Sequence, residues 1–134
     1  VYRVWNSETP NVFARKYVYV LPQPLDLAAM RRAAEALCGT HDYTSFCANR
    51  HMKKSAVRTV ERIDVVRVGD EVQLAFSGDG FLYHMVRILT GTLLEVGLGE
   101  RSAAKMTDIL AEKDRTAAGK TAPAQGLILW ETRY

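Results

Sequence analysis

Arg87 is a permanent cation inside GDGFLYHMVRILTGTLLEVG (residues 78–97), a stretch that otherwise reads as core. At 3.6 residues per helical turn, Arg87 shares a face with Tyr83, His84, Thr90, Gly91 and Leu94. The remaining apolar positions cover more than half of the circumference, so the segment is expected to be a mostly buried helix carrying one narrow stripe. That stripe combines an aromatic ring, an imidazole and a guanidinium, and Gly91 and Gly97 let something approach closely. A buried guanidinium needs a carboxylate or phosphate partner, because an unpaired buried cation costs several kcal/mol. Two readings follow. Arg87 reaches the surface over its own stem or makes a structural ion pair, or it orients a catalytic carboxylate or a phosphate. The pattern alone does not separate them.

A second set of candidates lies in CANRHMKKSAVR, where Arg50, Lys53, Lys54 and Arg58 gather around His51. No acidic residue occurs between Asp42 and Glu61. Such a cluster is either a solvated surface loop or a set of phosphate contacts for a nucleic acid. Phe46, beside Ser45, could touch a nucleic acid, but an aromatic there suits the core better, and Cys38, near a helix end, is also expected in the core. Cys47 has no neighbouring base in the sequence that would activate it.

The elements that must position these residues are legible in outline. YRVW and RKYVYVL alternate like strands, separated by the turn-rich NSETPN. Asp26 is a good N-cap for a helix over 27–38, with Leu27, Met30, Ala34 and Leu37 as its apolar stripe. THDYTSFCANRHMKKS reads as irregular. Residues 56–68 and VQLAFSG form a hairpin about VGDE. Asp79 is expected to cap the helix that carries Arg87, and Gly97 and Gly99 to end it. Ser102 opens a shorter helix to about Glu112, AAGKTAPAQG is loop, and LILWETRY is a closing strand. The order predicts an α+β fold of ferredoxin-like βαββαβ type, an antiparallel sheet with two main helices on one face. The N-terminal strand is expected to extend that sheet.

The chain has 134 residues, 48% hydrophobic and 25% charged, enough for one domain with a real core. No apolar run reaches the ~18 residues of a membrane span. The first ten residues lack the basic start and apolar stretch of a signal peptide, and an opening on Val1 reads as a fragment. Two cysteines give neither a disulfide framework nor a zinc spacing, which points to the cytoplasm. The net charge of +3 permits an anionic partner without specifying one.

The strings themselves resemble one family. GDGFLYHMVRILTGTLLEVG is similar to the signature helix of the tRNA pseudouridine synthase A family. PLDLAAMRRAAEALCGTHDYTSF, AVRTVERIDV, DILAEKDRTAAGKTAPAQGLIL and the region of Tyr134 resemble it too, in the family's order and spacing. The resemblance implies isomerisation of uridine to pseudouridine in the anticodon arm of tRNA, without metal or cofactor. It implies that Arg87 pairs with the catalytic aspartate. With tRNA as substrate, Arg50, Lys53, Lys54, Arg58, Tyr83 and His84 become candidates for contact with RNA, His84 being equally suited to a hydrogen-bonded structural role. The family's aspartate lies in an Arg-Thr-Asp-x-Gly-Val-His type of stretch that does not occur here. Among the aspartates present, Asp42 is the tempting substitute, but a turn or cap role suits it better. Tyr2 matches a tyrosine two residues beyond the family's stacking aromatic and is not given that role.

The expectation is therefore a single domain over 1–134, the C-terminal, RNA-modifying half of the enzyme, with the catalytic N-terminal half absent. Alone it is expected to be inactive. Its partner would be tRNA. A homodimer is expected, because the strand over residues 2–5 would expose an edge, along with the apolar surface that should meet the other half. The alternative is a non-catalytic RNA-binding or dimerisation module.

Overall fold

A computed structural model gives the fold and describes residues 1–6, 19–48 and 55–127. The described elements are β1 (Tyr2–Trp5), β2 (Tyr19–Val20), α1 (Leu27–Leu37), β3 (Gly39–Asp42), β4 (Val57–Val68), β5 (Glu71–Gly78), α2 (Met85–Gly97) and α3 (Met106–Glu112). The strands form one five-stranded sheet in the order β2-β1-β5-β4-β3, with the helices on one face. This is the expected α+β, ferredoxin-like class. Residues 15–18 of the second expected strand, the basic positions Arg50, Lys53 and Lys54, and LILWETRY beyond Leu127 lie outside the described residues.

The β4–β5 hairpin is the spine of the sheet. Gly69 and Asp70 turn the chain, and Val68 faces Glu71 across the ladder. Val65 opposes Leu74, and on the other side Leu74 opposes Tyr2, giving a cross-strand row in which every member is buried. Each such aliphatic side chain contributes about 1.5–3 kcal/mol by leaving water. Helix α1 starts where the Asp26 carboxylate accepts from Ala29 N at 3.1 Å, and it buries Met30, Ala33, Ala34 and Leu37. Its stripe meets α2, where Gly97 leaves room for the Met30 thioether. Asp26 N donates to Gly97 O at 2.8 Å, which ties the start of α1 to the end of α2.

Four local expectations change. Strand β1 does not extend the sheet at its edge: it lies between β5 and β2, with Tyr2 and Val4 fully buried. A strand paired on both sides offers no edge, so that ground for expecting a homodimer falls away. The sheet is mixed rather than antiparallel throughout, because Val4 and Trp5 pair in parallel with Tyr19 and Val20. Residues 39–42, largely within the stretch expected to be irregular, form β3 against β4. That strand is held by a distant partner rather than by its own alternation, with the Thr40 and Thr59 hydroxyls 2.8 Å apart. Finally, α2 begins at Met85 and Asp79 does not cap it. The Asp79 carboxylate accepts from Thr59 N at 2.9 Å, which holds the end of β5 to β4 instead.

Across β1 and β5, Arg3 donates to both oxygens of Glu71, the second contact at 2.9 Å. The bond from Arg3 holds the Glu71 carboxyl below its ordinary pKa, against the opposing effect of burial. Because the folded chain favours the ionised form, this contribution is complete above the ordinary value of 4.5 and is lost as pH falls through the lower folded value. Glu71→Gln should therefore flatten the acid limb of a pH–stability profile below about pH 4.5. Parallel acid limbs in the two proteins would show that Glu71 contributes nothing there.

Candidate active site

The chain enters α2 through a constrained turn. Tyr83 and His84 stack at 3.9 Å between ring centroids, and His84 takes the left-handed conformation at φ 59°. That backbone costs a non-glycine residue about 1–2 kcal/mol. Tyr83 is exposed and His84 half-exposed, so the pair is available at the protein surface. The Arg58 side chain packs beside Gly80, in the loop leading to this turn. It also donates to the carbonyls of Ser55 and Val57, which fixes it locally.

Arg87 follows in the first turn of α2 and is half-buried. Its Nε donates to Ala122 O at 2.8 Å, while Ala122 N donates to Arg87 O at 3.0 Å. One residue therefore holds both the guanidinium and the backbone of Arg87. Beside it, the Tyr2 hydroxyl donates to Pro123 O at 2.5 Å. Burial pushes the Tyr2 phenol well above its ordinary pKa, and the nearby Arg87 charge only partly opposes this. Tyr2 is thus a neutral donor and not a counter-ion for Arg87.

The carboxylates nearest to Arg87 in the sequence, Asp79 and Glu95, are engaged by other groups. Glu95, two turns along α2, accepts from Arg101 Nε and from Lys120 N, both at 2.8 Å. All seven aspartates fall within the described residues, and none forms an ion pair with Arg87. Asp42 closes the turn into residues 44–46, accepting from Thr44 N and, at 2.5 Å, from the Thr44 hydroxyl. That second bond chiefly holds its carboxyl below the ordinary range. Phe46 is fully buried, and beside it the Ser45 hydroxyl bridges Ile109 O and Asp114 N.

The structure thus brings Tyr83, His84 and Arg87 to the beginning of α2, with Arg58 beside the loop that enters it. Sequence reasoning did not anticipate that residues 117–123 form a strap seated on α2. Gly91 admits it: a Cβ there would lie 1.7 Å from Lys120 O. The close approach that the glycine permits is made by the chain itself. The available signal was the pairing of a helical glycine with a loop rich in glycine and small residues, which names no contact partner.

The sequence profile described as tRNA pseudouridine synthase matches residues 33–134. The chain belongs to this family. It is similar to tRNA pseudouridine synthase A 1 of Bacillus cereus, with 48% identity over 133 residues, 99% of this chain and 54% of the relative. The tRNA pseudouridine synthase A of Halalkalibacterium halodurans is 53% identical over 127 residues, 95% of this chain and 48% of the relative. That of Anoxybacillus flavithermus is 50% identical over 133 residues, 99% of this chain and 54% of the relative. The chain spans about half the length of the relatives it matches. The family match includes both α2 and the strap, so the pairing of Arg87 with Ala122 lies within the matched region.

Gly91→Ala tests the seat of the strap. Helix propensity alone favours alanine by about 1 kcal/mol. The new methyl group would meet backbone and not a yielding side chain, a cost of about 1–3 kcal/mol or more. The collision should win, and the thermal midpoint should fall. A higher midpoint would show that the strap does not rest on Gly91.

Proposed function

We propose that this chain is the arginine-bearing half of a tRNA pseudouridine synthase, in which Arg87 pairs with a catalytic aspartate supplied by the half that precedes it. The observation that carries this reading is the state of Arg87. The guanidinium is half-buried and held by Ala122, and no aspartate of the chain forms an ion pair with it. A cation kept in this condition has its natural complement in a carboxylate arriving from elsewhere.

The chemistry fits such a partner. The reaction breaks the bond between uracil and ribose, turns the base and rejoins it through a ring carbon. An aspartate acting beside the sugar must be ionised, and an adjacent guanidinium lowers its pKa and fixes its orientation. Because Arg87 Nε is engaged by Ala122, the two terminal nitrogens are the ones to meet the carboxylate. The exposed Tyr83–His84 stack and Arg58 lie at the same end of α2 and suit contact with bases and phosphates. The cluster of Arg50, Lys53, Lys54 and Arg58 would supply further phosphate contacts.

In the full-length protein, Arg87→Ala should lower the rate of pseudouridine formation in a tRNA transcript by on the order of 10²-fold, the loss typical of one electrostatic group at a reacting centre. Affinity for tRNA should change little, because the missing interaction acts at the reacting atoms. Unchanged turnover would reduce Arg87 to a structural residue and favour a binding module. Replacing Lys53, Lys54 and Arg58 together by Ala should weaken tRNA binding and make its dependence on log salt shallower by up to about 3, one for each phosphate no longer neutralised. An unaltered salt slope would leave the cluster a bystander.

A further inference from the structure

The strap is fastened to α2 by a row of polar contacts that runs antiparallel to the helix. Near the middle of α2, Gly119 N donates to the Thr92 hydroxyl at 2.9 Å, and Lys120 N donates to Glu95 Oε2. Arg101 donates to Glu95 Oε1 and, at 2.8 Å, to Ala117 O. Arg115 holds Gly119 O and the Thr121 hydroxyl. Two residues beyond Lys120, Ala122 exchanges its two hydrogen bonds with Arg87.

We propose that Glu95 is a positioning residue for Arg87, acting through the strap. The two side chains are eight residues apart on one helix, about 12 Å along its axis, so Glu95 cannot touch Arg87 itself. It sets the depth of the strap. A Cβ on Gly119 would lie 2.3 Å from Glu95 Oε2, so the carboxylate occupies the space that this glycine leaves free. With Lys120 seated against Gly91 and Glu95, the carbonyl of Ala122 is delivered to Arg87 Nε. A carboxylate is required because two donors converge on it, a backbone N–H and a guanidinium N–H, one on each oxygen. Glutamine has the same shape but sets an NH₂ against one of those donors.

This inference rests on the proposed role of Arg87, yet one arm of its test does not need catalysis. In the full-length protein with ¹⁵N-labelled arginine, the Arg87 Nε–H signal, assigned with Arg87→Lys, should exchange slowly with solvent. Glu95→Gln should accelerate that exchange at least tenfold. Arg31 Nε, which donates to Val65 O at 2.9 Å, is the internal control and should not change. Slow exchange persisting at Arg87, or equal acceleration at Arg31, would overturn the inference.

In the catalytic arm, Glu95→Gln should lower kcat on tRNA on the order of 10-fold with the Kd for tRNA unchanged, as expected for a residue behind the reacting group. Glu95→Asp, which keeps both acceptors, should recover part of the loss. The double variant with Arg87→Lys should be no slower than Arg87→Lys alone, because both changes act on one group. Additive losses, or a fall in tRNA affinity, would also overturn it. A wild-type protein that forms no pseudouridine would refute the proposed function and leave the exchange measurement to decide the role of Glu95.

Discussion

The two-bond exchange between Arg87 and Ala122 joins α2 to the strap over residues 117–123. Arginine has a long, flexible side chain, and ordering it costs about 2 kcal/mol of rotamer entropy. Here the cost is met by a backbone carbonyl on a strap that is itself pinned along α2. The fold serves this contact. β1 delivers Tyr2 to Pro123, the tie between Asp26 and Gly97 fixes the far end of α2 against α1, and Gly91 lets the strap lie directly on the helix.

The electrostatic arrangement is selective. The chain carries many charges, yet the carboxylates nearest to Arg87 in the sequence are already engaged. Glu95 serves the strap, Asp79 serves the junction of β4 and β5, and the Tyr2 phenol stays neutral because it is buried. The site therefore has an ordered cation and no ion-paired anion among the described residues. A carboxylate brought to it would gain a pre-oriented donor pair without that pair having to reorganise, which is how a protein stabilises charge at a reacting centre.

How much of this was legible in the sequence depended on the range of the interactions. Helix α1, the β4–β5 hairpin and the buried character of α2 follow from local periodicity and turn chemistry, and all three stand in the fold as expected. The α2 start differs because Asp79 looks like a cap, whereas its carboxylate is drawn to Thr59, twenty residues away. Strand β3 and the interior place of β1 escaped notice for the same reason: both depend on pairing with partners far along the chain. At the candidate site, Arg87 stood out because a cation in an apolar helix is anomalous. The strap did not stand out, since glycine, alanine and threonine in a loop carry no periodic signal. It is held mainly through its own backbone groups, so its side chains do not point to the partners Thr92, Glu95, Arg101 and Arg87.

In the proposed role, Arg87 is a held cation whose carboxylate partner comes from outside the described residues. The distance from its terminal nitrogens to the nearest carboxylate, in a crystal structure of the full-length protein, tests this at the atoms concerned. The expected result is a bidentate contact of about 2.7–2.9 Å with an aspartate that precedes Val1, with Ala122 still on Nε. An Arg87 paired with a carboxylate of this chain, or left facing solvent with no acidic partner, would contradict it.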